Sequence, residues 1–170
     1  EFGLHLGIAS IYSAKLNGTL GGFAGLDLSA LSVRLWLGYA LGQTTHSNTG
    51  SAHFDWLGTR EEICALSGTH RSLRLGLCGT VELGYLQAKG QSSTSISARS
   101  KGTPWLAPGL GVAVRQPLSG GPWRLEFWAG LEFPLTRERF AFRRSDGTLE
   151  TIHRVPWAGW GSSIGVGYAL

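Results

Sequence analysis

The sequence predicts an all-β fold, an eight-stranded antiparallel up-and-down barrel, and three observations carry that prediction. Apolar residues alternate with small or polar ones at period two along eight separate stretches, a strand signal that no helix would hold for so long. Glycine makes up 26 of 170 residues, about twice ordinary usage, and it gathers on one face of each stretch. Short and long connections between the stretches take turns. At 170 residues the chain is expected to be one domain, 1–170.

The stretches are taken in order. The first, Phe2 to Tyr12, sets Phe2, Leu4, Leu6, Ile8 and Tyr12 against Gly3, His5, Gly7 and Ala9. The second, Thr19 to Leu28, sets Leu20, Gly22, Ala24, Leu26 and Leu28 against Gly21, Phe23, Gly25 and Asp27. The third is the clearest: Leu31, Val33, Leu35, Leu37, Tyr39 and Leu41 alternate with Ser32, Arg34, Trp36, Gly38, Ala40 and Gly42. The fourth, Phe54 to Leu66, is irregular, because its parity puts Glu61 among the apolar residues; a bulge there, or a place near lipid headgroups, would accommodate it. The fifth, Ser72 to Gln87, sets Leu73, Leu75, Leu77, Val81, Leu83 and Tyr85 against Arg74, Gly76, Cys78, Thr80, Glu82 and Gly84. The sixth, Trp105 to Gln116, opposes Leu110, Val112 and Val114 to Gly109, Gly111, Ala113 and Arg115. The seventh, Trp123 to Leu135, opposes Trp123, Leu125, Phe127, Leu131, Phe133 and Leu135 to Arg124, Glu126, Trp128, Gly130 and Glu132. The eighth, Trp157 to Leu170, places Trp160, Ile164, Val166, Tyr168 and Leu170 opposite a face of Gly159, Gly161, Ser163, Gly165 and Gly167.

A face of glycines suits the inside of a narrow closed barrel and not the core of a sandwich. The Leu, Ile, Val, Phe and Trp face must then point outward. In water it would expose far more apolar surface than a monomer tolerates, so the expected surroundings are lipid. No run approaches the ~18 apolar residues of a membrane helix. Mean hydropathy is only +0.02, as expected where lumen residues dilute the lipid-facing ones one to one. The inward charges are Arg34, Arg60, Arg74, Arg115 and Arg124 with Asp27, Glu62, Glu82, Glu126 and Glu132, a balanced set that a buried lumen requires. The alternative, a soluble sandwich, would need the glycine face to be the surface.

The connections at Ser29-Ala30, Gly68-Thr69-His70 and Pro117–Pro122 are short. Those at Gln43–His53, Ala88–Pro104 and Thr136–Val155 are long and polar, and only Ser13–Gly18 is short for its side. Short turns in the periplasm and long loops outside follow the rule for such barrels, which also puts both termini on the periplasmic side. Trp123 and Phe133 are ten residues apart on one face, which at the expected strand tilt spans about 25 Å, the height of an apolar band between aromatic girdles. Tyr12, Tyr39 and Tyr85 are expected at the loop-side girdle. The chain opens on Glu1 without a signal peptide, which suggests a mature or trimmed form.

The final strand, Ser163-x-Gly165-x-x-Tyr168-x-Leu170, resembles the C-terminal strand of bacterial outer-membrane β-barrels, with Leu170 where Phe or Trp is usual. The whole chain resembles the small eight-stranded barrels of the OmpA and OmpX type. More closely, through Cys64, Cys78, Glu82-Leu83-Gly84, Phe133-Pro134-Leu135 and His153-Arg154-Val155-Pro156, it is similar to predicted outer-membrane barrels of Gram-negative bacteria. The resemblance implies a place in the outer membrane and reading of Ser163, Gly165, Tyr168 and Leu170 by the barrel assembly machinery. It implies no activity.

Candidate chemistry is sparse. Cys64 and Cys78 stand at equal offsets from the hairpin centre His70-Arg71, which makes them direct cross-strand partners. A disulfide in an oxidising compartment is favoured over a metal site shared with His70, because two Cys and one His do not close a ligand set. Arg137, Arg139, Arg143 and Arg144, interleaved with Phe140 and Phe142, could bind lipopolysaccharide phosphates through bidentate guanidinium contacts; an ordinary solvated loop is the plain reading. His46 beside Ser47 raises acyl transfer, but neighbouring strand residues point to opposite sides and Thr45-His46-Ser47-Asn48 offers no carboxylate. Gly109-x-Gly111 lacks a third glycine and a helix for phosphate binding. The net charge of +4 is scattered, which argues against nucleic acid as a partner. The expected role is a non-enzymatic barrel without cofactor: a membrane anchor, an adhesion element or an embedded subunit of an envelope assembly. A lipid A-modifying barrel enzyme using His46 or His153 is the second expectation and a narrow pore the third.

Overall fold

The structure is a computed structural model that describes residues 1–13, 15–47, 50–68, 73–92, 100–118, 121–143 and 148–170. Its strands are β1 (Phe2–Ala9), β2 (Asn17–Asp27), β3 (Leu31–Ser47), β4 (Gly50–Ser67), β5 (Arg74–Ser92), β6 (Ser100–Pro117), β7 (Trp123–Glu132), β8 (Arg139–Arg143), β9 (Leu149–Arg154) and β10 (Gly159–Tyr168). Eight of them close an antiparallel barrel in the order β1-β10-β7-β6-β5-β4-β3-β2, while β8 and β9 form a separate two-stranded sheet.

Alternation dictates the two faces. Leu4 is 68 %, Leu26 72 %, Leu77 68 % and Leu110 62 % exposed, whereas the residues between them on every strand turn into the lumen. The strand registers fix the cylinder. Partners run Gly3↔Phe23, Phe23↔Trp36, Trp36↔Arg60, Arg60↔Glu82 and Glu82↔Ala107. Continued through β7 and β10 back to β1, the circuit is displaced by about ten residues. With strands ~4.8 Å apart and a rise of ~3.3 Å per residue, this stagger tilts them by about 40° and gives a backbone radius of about 8 Å. Such a cylinder holds side chains and little else.

Glycine is the counterpart of the lumen aromatics. The Trp36 indole lies flat over its neighbours, so a Cβ at Gly21 would come within 2.4 Å of the ring. Gly58 under Trp56 and Gly130 under Trp128 are in the same position, each with a hypothetical Cβ at 2.6 Å. Gly68, at the end of β4, has φ 92° and therefore suits glycine for its backbone.

Several expectations are corrected. Tyr12 is not at the lipid-facing girdle: β1 ends at Ala9, the chain bends at Ser10, and Ile11 and Tyr12 tuck inside at 0 % and 1 % exposure. The expected long loops Gln43–His53 and Ala88–Pro104 are largely strand, because β3 to β6 run on past the apolar belt. The third contains the β8–β9 hairpin. No bulge repairs Glu61: β3 and β4 pair without interruption from Leu31↔Ala65 to Ala40↔Trp56, and the register shifts only between Ala40 and Gln43. Nor does Glu61 lie at an edge of the apolar belt. It pairs with Leu35 and Val81, at mid-height of the belt that runs along β5 from Leu75 to Tyr85. Asn48, His70, Arg71 and Arg144 lie outside the described residues.

Candidate functional site: the lumen and its hairpin cover

The lumen has two layers. Toward the end with the termini and short turns it is ionic. Arg34 is 6 % exposed and grips Glu126 with both terminal nitrogens, Nη1 at 2.6 Å and Nη2 at 2.7 Å; it also pairs with Glu1. Asp27 accepts from Arg74 at 3.0 Å, Arg115 at 2.8 Å and Arg124 at 2.6 Å. Arg115 reaches Glu62 at 3.5 Å, and Arg124 reaches Glu1 at 3.2 Å. His5 Nε2 lies 3.2 Å from Glu126 and its Nδ1 lies 3.2 Å from Ser163 Oγ. Sequence parity marks most of this set. Glu1 is the addition, and continuing the first strand's odd-numbered face, which already carried His5, back to residue 1 would have found it.

Higher in the barrel a second cluster is built around one guanidinium. Arg60 donates to Glu82 Oε1 from Nε at 3.0 Å and Nη2 at 2.7 Å, and to Glu132 Oε1 from Nη2 at 2.9 Å. Its planar head lies 4.2 Å from the Trp128 ring centroid and 5.3 Å from that of Trp36, where ring quadrupole and cation attract. Glu82 receives two further donors, Tyr12 Oη at 2.9 Å and Trp105 Nε1 at 3.3 Å. Glu132 Oε2 has none. Among the described residues a small cavity, bordered by His5, Arg34, Trp36, Arg60 and Trp128, separates the two charge clusters.

Above Arg60 the lumen turns apolar. Tyr12 stacks on Trp56 at 4.8 Å and Trp56 on Trp36 at 6.1 Å, and Phe54, Leu86, Trp105 and Ala107 complete a layer at 0–2 % exposure. The β8–β9 hairpin lays Phe140, Phe142, Ile152 and Val155 onto this layer. Phe54 meets the rings of Phe140 and His153 edge-on, each at 5.2 Å. Burial without a partner for Nε2 pushes the His153 imidazole down to about 4, since the charged form would lose its water.

Cys64 and Cys78 are direct cross-strand partners and are joined in a disulfide, inside the lumen beside Glu62. With both thiols oxidised, Glu62, Cys64 and Cys78 do not offer a thiolate metal site. Arg137, Arg139 and Arg154 are exposed; Arg139 and Arg154 sit opposite each other at the base of the hairpin, and Arg139 donates to Thr151 Oγ1 at 2.6 Å. The side chain of Arg143 is outside the described set. His46 is exposed near the tip of β3, opposite Ser51, and His153 is buried under the hairpin. Among the described residues neither histidine has a carboxylate partner, and the side chain of Ser47 beside His46 is outside the described set. In the last strand Ser163 faces His5, Gly165 lies beneath the His5 ring, Tyr168 packs on Phe2 at 5.5 Å and Trp123 at 5.1 Å, and Leu170 is 97 % exposed.

A closed eight-stranded barrel with an apolar exterior and an ionic interior is the fold of the small outer-membrane β-barrels. It superposes on a major outer membrane protein of Thermus thermophilus with a TM-score of 0.63, at 14 % identity over 98 % of each chain. It superposes on the Neisserial surface protein A with a TM-score of 0.62, at 11 % identity over 99 % of this chain and 94 % of that one. No protein-family model and no curated protein matches the sequence.

Proposed function

We propose that the chain is an integral, non-enzymatic barrel of a bacterial outer membrane that anchors an extracellular surface, serving adhesion or an envelope assembly. Its termini and short turns face the periplasm, and its long hairpins face outward. The observation that carries this reading is the belt of exposed Leu, Ile, Val and Phe around a lumen occupied by paired charges and stacked rings. Water on the outside would leave that belt uncovered, and a channel would need the inside open. Beyond the belt, β3 to β6 stand up as a wall above the shorter β1, β2, β7 and β10. A tilted strand gains about 2.5 Å of height per residue, so the wall rises roughly 20 Å past the Tyr39–Tyr85 level and offers surface for a partner.

Lipopolysaccharide is the proposed lipid partner. Arg137, Arg139 and Arg154 flank the exposed Leu135 (63 %) and Trp157 (71 %), which mark the upper edge of the belt, and guanidinium groups there meet phosphates at headgroup level. Ser163, Gly165, Tyr168 and Leu170 are the proposed signal for the assembly machinery. The test is refolding with and without detergent, read by heat-dependent gel migration and by conductance in planar bilayers. A heat-dependent band, insolubility without detergent and no conductance are expected. A monodisperse detergent-free monomer refutes the membrane reading, and steady single-channel currents refute the filled lumen.

A further inference from the structure

Glu61 lies on the lipid-facing side of β4 and is exposed. Its strand neighbours are Leu35 and Val81, with Pro108 beyond Val81. Tyr39 and Tyr85, which flank Leu57, stand about 10 Å above it at ~2.5 Å of height per residue. No other described residue of the outer belt between the Tyr39–Tyr85 level and the turn end carries a charge. A carboxylate so placed costs free energy unless it finds a donor, and functional proteins keep such groups where a partner supplies one.

The same strand offers a donor. Thr59, two residues away on the same face, is half-buried. Among the described residues neither the Thr59 hydroxyl nor the Glu61 carboxylate hydrogen-bonds within the chain. The surface around the pair is also shallow. A Cβ on Gly79, the cross-strand neighbour of Ile63, would meet nothing within 4 Å, and Thr59, Val81 and Pro108 are shorter than the exposed Leu57, Leu77, Leu83 and Leu110 around them. In lipid, close approach over small residues and buried polar bonds are what drive association.

We propose that the barrel forms a two-fold dimer in the membrane through β4, each Thr59 hydroxyl donating to Glu61 of the second copy. The inference rests on the membrane placement proposed above. An isologous contact must satisfy itself, residue i meeting j and j meeting i, and a donor and an acceptor two positions apart on one strand do so. At a tilt of about 40°, Thr59 and Glu61 differ by about 4 Å sideways and 5 Å in height. A two-fold axis along the membrane normal, passing midway between them, brings Thr59 of each copy laterally opposite Glu61 of the other. The height difference is within reach of a glutamate side chain. The two β4 strands then cross at about 80°, with Gly79 giving room for an apolar side chain of the second copy.

The experiment is sedimentation equilibrium of the full chain in density-matched detergent over a range of protein-to-detergent ratios, with folding of every variant checked by heat-dependent migration. A monomer–dimer equilibrium is expected. Glu61→Leu and Thr59→Val should each raise the dimer dissociation constant about tenfold and the double variant no further, because both remove the same bonds. Glu61→Gln, which keeps the acceptor, should stay near wild type. A folded, detergent-dependent monomer at every ratio overturns the dimer alone, as does a Glu61→Leu variant that dimerises as well as or better than wild type. A chain that is soluble and monomeric without detergent overturns the membrane placement, and the dimer with it.

Discussion

Arg60 is the position whose removal the structure prices most clearly. It is the only cation within hydrogen-bond reach of Glu82 and Glu132 among the described residues, and both carboxylates are 0 % exposed. Arg60→Met keeps apolar bulk between Trp36 and Trp128 but deletes three charge-assisted hydrogen bonds and leaves two carboxylates facing each other. Breaking a buried pair by removing one member costs about 3–5 kcal/mol. The partners are not equivalent. Glu82 keeps Tyr12 and Trp105 as donors, whereas among the described residues Arg60 is the one charged donor to Glu132. Glu132→Gln therefore leaves one guanidinium facing one carboxylate, and its cost should stay within about 1 kcal/mol. Neutralising both acids together with Arg60→Met should recover most of the single-variant loss. The assay is urea unfolding and refolding in micelles, followed by tryptophan fluorescence and gel migration. An Arg60→Met cost under about 1 kcal/mol, or equal costs for Arg60→Met and Glu132→Gln, would refute the account of the upper cluster.

Three further outcomes follow from the same geometry. Leu110→Arg, on the lipid face, should destabilise the barrel by about 2–4 kcal/mol; Leu35→Arg sits directly opposite Glu61 and should cost at least about 1 kcal/mol less. Equal costs by micelle unfolding would place Glu61 away from Leu35. Replacing Cys64 and Cys78 by Ala should lower stability by about 2–3 kcal/mol against the oxidised chain and change little against the pre-reduced one, because the cross-link acts by closing a loop in the unfolded state; a deficit that persists under reductant would argue against this. His153 is held below its ordinary value, so the docked hairpin binds fewer protons than the undocked one. Docking is then complete above about pH 6.5 and is lost as pH falls from there toward about 4. Limited proteolysis should show β8–β9 opening across that window while the barrel keeps its heat-dependent migration. His153→Phe should remove the dependence, and an unchanged pH profile in that variant would point to another titrating group.

Alternation makes the barrel legible only where the two faces see different solvents. Leu31 to Leu41 reads cleanly because one face meets lipid and the other the lumen. Past Tyr39 and Tyr85 the outward face of the same strands loses its apolar run while the inward face still buries Ala52, Phe54, Leu86 and Ala88, so Thr44-Thr45-His46 and Ala88-Lys89-Gly90 read as loop although the ladder continues through them. Tyr12 shows a different failure. Its parity is counted through Ser10, and once the chain bends there parity says nothing about direction. Phe140 and Phe142 carry strand alternation in plain view, but Arg139 and Arg143 beside them suggest a solvated loop until Phe54 and His153 supply the surface that buries the rings. Glu61 is the reverse case. The sequence makes it look like an irregularity in need of repair, and the uninterrupted register makes it a feature of the outer surface.

The distribution of polarity along the axis bears on why such a barrel would carry charge at all. A lumen about 8 Å in backbone radius could be filled with apolar side chains, and a buried ion pair is weak evidence for stability. Yet the acids and arginines of the lower layer come from β2, β3, β5, β6 and β7 and converge on Asp27 and Glu126. Each bond therefore ties strands that the ladder does not join. Bidentate Arg34–Glu126 spans the barrel from β3 to β7, and Arg60–Glu132 spans it from β4 to β7. A slip of one residue in any strand would turn its charge into lipid, at a cost far above that of misplacing a leucine in the lumen. The network thus discriminates against wrong registers more than it stabilises the right one. That leaves the apolar layer and the hairpin above it to hold together the end away from the termini, where β3 to β6 run on past the apolar belt.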